Sequence, residues 1–195
     1  MKILQYLFIS FSHKILKILP YRLIRLLSVP IGTLYFLLTF RSSIKLFKRR
    51  KIFEKLKINY KPLIVKINYT RYWLETLWLT NKNFSKHISP HVEIENQEYV
   101  DKLKRQYPGL IFALPHLGNW EFAIPIGNSI KLNLLAVAEP LNNSYVLNWF
   151  KSLRESLGIE IIIGGKGQNT FDLLVNKLKS GKDICLLSER SIKKS

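Results

Sequence analysis

With 31 Lys and Arg against 13 Asp and Glu in 195 residues, the chain carries a formal net charge of +18, enough to bind polyanions, so nucleic acid and anionic membrane are both candidate partners. A single cysteine, Cys185, excludes an intramolecular disulfide and a cysteine-built metal cluster, and nothing points to an oxidising compartment. The length fits one globular unit, with room for an appendage.

The N-terminal third decides between the two polyanions. Fifteen of the 31 cations fall in residues 1–66, where Glu54 is the only acid, and they are interleaved with Leu, Ile and Phe. Apolar faces that enter lipid beside Lys and Arg that reach headgroups make an interfacial membrane segment, whereas a nucleic-acid binder needs no such greasy partner. The opening MKILQYLFISFSHK has the cation and apolar stretch of a signal peptide but no small-residue cleavage site, and is read as retained. The uncharged run Leu26–Phe40 contains Pro30 and Gly32 and has 15 residues. A spanning helix wants about 20, so embedding in one leaflet is expected. A buried amphipathic helix pair packed on the protein's own core is the alternative. The expected division is a membrane-associated helical segment over 1–66 and an α/β domain over 67–195, incomplete at its C-terminus.

Next in order comes a basic run, FKRRKIFEKLKINYK (Phe47 to Lys61), read as a solvated helix or linker, or as a segment lying against phospholipid. YTRYWLETLWL (Tyr69 to Leu79) spaces its aromatics and leucines as a core-facing helix does. In SKHISPHVEI, His87 and His91 are four apart like zinc ligands on a helix, but Pro90 disturbs that helix, so a loop with two ordinary histidines is expected. No metal site is predicted.

From Gly109 the pattern changes to short apolar runs alternating with longer amphipathic ones. LIFAL (110–114), LNLLAVA (132–138), IEIII (159–163) and DICLL (183–187) read as strands buried on both faces. Helices are expected over Trp120–Ser129, Ser144–Leu157 and Asn169–Ser180. The alternation predicts an α/β fold with a largely parallel sheet flanked by helices, preceded by the N-terminal membrane-associated helices. The sheet is expected to end on the DICLL strand with an edge open and part of its apolar surface uncovered. IGGKG (163–167) lacks the spacing and the hydroxyl of a phosphate-binding loop, and reads as a plain strand-to-helix connection. NNS (142–144) reads as the N-cap region of the next helix.

His116 stands two residues past LIFAL, and parallel sheets bind ligands beyond the carboxyl ends of their strands. Gly118 permits a tight turn, Asn119 is a good N-cap, and Glu121 falls in the first turn of the next helix, where its charge suits the helix dipole. If the chain turns between them, a carboxylate at 121 can orient an imidazole at 116 as a general base. A loop histidine beside a helix-start glutamate is the competing reading.

HLGNWE (His116 to Glu121) resembles the histidine, four residues, acid motif of glycerolipid-type acyltransferases, in the form used by the family of bacterial lipid A acyltransferases and phosphatidylinositol mannoside acyltransferases. RYWLE (71–75), AEPL (138–141), LRESLGIEII (153–162) and LLSER (186–190) resemble family segments in the same order. The resemblance implies that His116 deprotonates an acceptor hydroxyl, which attacks the thioester of acyl-CoA or an acyl carrier protein, while Glu121 holds and charge-balances the imidazole. It implies further that Gly118, Asn119, Glu139 and Glu189 line the substrate site and that Arg154 faces a phosphate. No cofactor is implied beyond the thioester substrate. The acceptor is a membrane glycolipid, a phosphatidylinositol mannoside on the strength of LRESLG or a lipid A precursor on the strength of NWE. The setting is the cytoplasmic face of an inner membrane, with anionic lipids as partners and no nucleic acid. SERSIKKS ends about where the family continues, so the chain resembles a truncated member. The rivals are a non-catalytic basic binding protein and a serine hydrolase, for which no G-x-S-x-G elbow appears.

Overall fold

The computed structural model describes residues 1–40, 61–165 and 169–187. Most of the basic run over 47–61, and Glu189 with the rest of Ser188–Ser195, lie outside the described residues. Two compact units emerge, one of Met1–Phe11 with the chain from Leu79 onward, the other Ser12–Trp78. The charge-based division after residue 66 and this packing-based division describe different properties of the chain.

The first unit is α/β. Helices α4 (Asn81–His87) and α5 (Gln97–Gln106) lead into β1 (Ile111–Leu114), α6 (Ala123–Ser129), β2 (Leu134–Ala138), α7 (Ser144–Leu157), β3 (Glu160–Ile163), α8 (Thr170–Lys179) and β4 (Asp183–Leu187). The four strands are parallel in the order β1-β4-β2-β3, with Ile184 opposite both Ile111 and Leu135, and Leu135 opposite Glu160. The last strand thus returns to the interior of the sheet, and among the described residues the open edges belong to β1 and β3, not to the DICLL strand. His87 ends α4 and His91 closes a separate single turn of 3-10 helix, so the two share no helix.

One face of the sheet carries the core. Leu134 and Ile161 pack with Leu79, Phe84, Ile124, Leu157 and Ile159, and Ala136, Ala138, Ile163 and Cys185 lie against them. The other face is less well covered at the β1 edge. Ile111 is 58% exposed and Leu186 37%, so the expectation of burial on both faces fails for β1 and the end of β4. Edge position contributes for β1, which has a strand on one side only; β4 is interior, and its exposure is confined to Leu186 at the carboxyl end, two residues past buried Ile184.

At the amino end of the sheet the fully buried Asp183 ties three strand entries together. Its Oδ1 accepts from Leu110 N at 3.0 Å, its Oδ2 from Asn133 N at 2.8 Å, and Lys104 of α5 closes the charge at 2.8 Å. That end is thus fastened by hydrogen bonds, opposite the carboxyl edge beyond which parallel sheets bind ligands. Helix α7 is bounded by Asn143, whose side chain accepts from Val146 N, and by Gly158 at φ 102°, a left-handed stop that glycine adopts without strain.

In the second unit, α2 (Tyr21–Leu38) packs on α3 (Pro62–Trp78) across a seam of mixed polarity that also buries Ile24, Ile67 and Trp78. Buried positions of α2 include Ser28 and Gly32, and those of α3 include Thr70, Glu75 and Thr76, while Leu26, Leu34, Leu37 and Leu38 face outward. Tyr21 donates to Glu75 Oε1 at 3.0 Å, and Trp78 Nε1 donates to Leu19 O at 2.9 Å. Small residues at i and i+4 with apolar side chains outside are how helices associate in lipid. Among the described residues, α2 alone is long and apolar enough, by length and composition, to cross a membrane. Its 18 residues rise about 27 Å against about 30 Å of hydrocarbon. Helix α1 (Lys2–Leu16) precedes it and carries no buried residue.

Candidate active site

His116 is exposed, two residues beyond the last residue of β1, in a segment made of tight local bonds. Leu117 N donates to Pro115 O at 2.8 Å, Gly118 turns the chain at φ 60°, and Asn119 Oδ1 accepts from Glu121 N at 3.2 Å. The chain therefore turns between residues 116 and 121, with Gly118 and Asn119 shaping the turn. Glu121 enters a single turn of 3-10 helix, Trp120–Phe122, ahead of α6.

Glu121 is 1% exposed. A buried carboxylate needs a partner, since leaving it bare costs several kcal/mol. Arg154, in the last turn of α7, supplies one: Nε donates to Oε1 and Oε2 at 3.2 and 3.1 Å, and Nη2 donates to Oε1 at 2.7 Å. These three bonds use most of the roughly four acceptor positions of a carboxylate. The guanidinium carbon lies 5.0 Å from the Trp120 ring centre and 5.7 Å from that of Phe150, within cation–π range. The His116 ring also meets Trp120, edge-on with centroids 6.2 Å apart. His116, Trp120, Arg154 and Glu121 thus form one contiguous group, with the imidazole at its exposed end.

The remaining predicted residues divide. Gly118 and Asn119 shape the turn itself. Glu139 is exposed immediately after β2, on the same carboxyl edge as His116. Arg154, expected against a phosphate, grips Glu121. Trp120 and Phe150 were not among the predicted site residues, although Phe150 and Arg154 sit four apart on an expected helix, where side chains meet. Among the described residues, no group of three or more His, Cys, Asp or Glu is placed to hold a metal ion.

The family model described as bacterial lipid A biosynthesis acyltransferase matches residues 1–195. A phosphatidylinositol mannoside acyltransferase from Mycobacterium tuberculosis (strain CDC 1551 / Oshkosh) is 30% identical over 128 residues, covering 64% of this chain and 40% of the relative. Another of that name, from Mycolicibacterium smegmatis, is 29% identical over 132 residues, covering 66% and 42%. The chain spans about two-fifths of the length of these curated relatives. It belongs to the bacterial lipid A biosynthesis acyltransferase family.

Proposed function

We propose that this chain carries the proton-transfer machinery of an O-acyltransferase acting on a membrane glycolipid. The observation that carries the reading is the placement of His116, exposed at the carboxyl edge of a parallel sheet and sharing the Trp120 ring with the arginine whose fork fixes the Glu121 carboxylate. In the proposed reaction His116 takes the proton of the acceptor hydroxyl as its oxygen attacks the thioester carbonyl carbon. The tetrahedral intermediate collapses, the C–S bond breaks, and the proton returns from His116 to the departing thiolate. Glu121 steadies the 116–121 turn and balances the positive charge that His116 gains in the transition state. Arg154 holds Glu121 in place.

The donor is acyl-CoA or an acyl carrier protein, and no metal or redox group enters these steps. The acceptor is a phosphatidylinositol mannoside, the lipid in the names of two relatives. A lipid A precursor is the second reading, favoured by Glu in place of Asp at position 121 and by the description of the family. The outward apolar residues of α2 and the cations around them support work at the cytoplasmic face of an inner membrane, with anionic lipids and not nucleic acid as the surface bound.

The test offers both acceptors with one labelled acyl donor to the intact protein and to its His116→Ala variant. Transfer to the mannoside is expected to fall by about 10² to 10⁴-fold in the variant. Near-normal turnover in the variant would overturn the role of His116, and labelling of the lipid A precursor alone would reverse the choice of acceptor.

A further inference from the structure

The amino-terminal part of α1 belongs to the α/β unit and has an apolar face that none of the described residues covers. Ile3, Leu4, Leu7, Phe8 and Phe11 are each more than half exposed. Their spacing places them on one side of the helix. Five large apolar side chains in a row form a patch that calls for a cover. Charge identifies it. Helix α1 carries Lys2 at its start and Lys14 in its last turn and no carboxylate. Apolar insertion flanked by cations alone is the chemistry of an anionic bilayer surface, and an apolar protein groove would not call for the cations.

The helix is fastened at one point that matters. Asn143 Nδ2 donates to Lys2 O and to Gln5 Oε1, both at 2.9 Å, while its Oδ1 accepts from Val146 N to cap α7. Tyr145 in the first turn of α7 meets Tyr6 with ring centroids 6.1 Å apart. Asn143 lies in the connection that leaves the carboxyl end of β2, the edge that also bears His116. Two further exposed leucines leave that edge, Leu117 beside His116 at 75% and Leu141 at 47%.

We propose that the first turns of α1 seat the carboxyl edge of the sheet on an anionic bilayer, with Asn143 as the clasp between the lipid-facing helix and the edge that holds His116. Resting on the reading of that edge as the reaction edge, this makes the acceptor a lipid approached sideways, its headgroup at the depth of His116 and its acyl chains still in the membrane. Asn143 is a positioning residue in this account.

The experiment reads position and not turnover, so its failure is separable from failure of the proposed reaction. In the intact protein with Cys185→Ser, Phe8→Cys or Leu117→Cys is labelled with an environment-sensitive fluorophore and mixed with phosphatidylglycerol-containing vesicles or with phosphatidylcholine vesicles. Both labels are expected to shift to the blue on anionic vesicles and to stay unshifted on neutral ones. Asn143→Asp joined to Gln5→Ala keeps the capping oxygen but removes both bonds to α1, and it is expected to abolish the shift at 117 while leaving that at 8 and vesicle flotation intact. Gln5→Ala by itself, which leaves the α7 cap alone, is expected to weaken the shift at 117 even if the double variant does not fold. A silent label at 117 in the clasped protein, silence at both positions, equal shifts on neutral vesicles, or a shift at 117 indifferent to both substitutions would each overturn the proposal.

Discussion

Glu121 and Arg154 are 33 positions apart in sequence and meet as a bidentate ion pair, the carboxylate in the first turn after β1 and the guanidinium in the last turn of α7. Each end suits its charge, since an acid is favoured at a helix start and a cation at a helix end. The pair also joins the two crossover connections that flank β2, so a local electrostatic contact fixes the relative placement of two elements. With the Glu121 side chain 2% exposed and that of Arg154 18%, solvent screening of the contact is weak.

The first prediction concerns that pair. Arg154→Met leaves a buried carboxylate without its partner and is expected to cost about 3–5 kcal/mol. Arg154→Lys keeps the charge but not the fork, and should fall between this variant and the parent. Joining Glu121→Gln to Arg154→Met removes the stranded charge, so the double variant should be more stable than Arg154→Met alone. Urea midpoints of the parent, Glu121→Gln, Arg154→Met, Arg154→Lys and the double variant check it; simple additivity of the Glu121→Gln and Arg154→Met costs would mean the side chains do not act as a pair.

A second prediction turns on Gly118, which holds φ 60° with nothing within 4 Å of where a Cβ would stand. The cost of Gly118→Ala is then conformational and not steric, about 1–2 kcal/mol. Gly118→Asn should recover part of it, because asparagine tolerates the left-handed region better than alanine. If both variants matched glycine in thermal unfolding, the turn would not depend on that backbone conformation.

Much of the α/β unit was legible because its signals are local. All four strands lie within the apolar runs that suggested them, and Asn143 and Gly158 bound α7 as an N-cap and a C-terminal glycine should. Strand order was not legible. Nothing in DICLL says that it inserts between β1 and β2, because that choice depends on which neighbours bury Ile184 and Cys185. The histidine turn could be anticipated from Gly118 and Asn119, but the Arg154 partner of Glu121 could not. Arg154 resembled a phosphate-binding residue in sequence, and only the fold brings α7 back across the start of α6 to turn it inward. The polar seam between α2 and α3 was hidden for another reason: Ser28, Gly32 and Glu75 interrupt the apolar pattern, and their burial depends on two helices meeting.

That seam supplies the third prediction. A Cβ on Gly32 would lie 2.7 Å from the Cα of Ile67, a backbone atom that no rotamer change can move. Gly32→Ala must therefore push α2 away from α3, at about 1–3 kcal/mol for an overpacked contact. Ile67→Ala should fail to rescue it, since the clash is with the main chain. Thermal unfolding in lipid nanodiscs of both single variants and the double variant distinguishes the cases; rescue would place the contact at the isoleucine side chain.

The last prediction is a pH dependence. Cys185 lies inside β4 against the core, and burial, aided by the nearby Asp183 charge, pushes its thiol up to about 11 from an ordinary value of 9.0. A raised value means that the folded protein prefers the neutral thiol. Its contribution to stability is whole below about pH 9, where the thiol is protonated in both states, and is lost as pH rises towards 11, because the unfolded chain ionises first. Cys185→Ala removes the ionisation at some cost in packing, so it should lower stability at neutral pH yet decline less steeply between pH 9 and 11. Alkylation of Cys185 should also be slow at pH 8, where thiolate is scarce in the fold, and speed up on unfolding in urea. Denaturant midpoints across this range, paired with iodoacetamide rates, check both halves. A parent and variant with parallel alkaline limbs, or a thiol that reacts at the rate of free cysteine in the native protein, would show that Cys185 is not held in the core as its place on β4 requires.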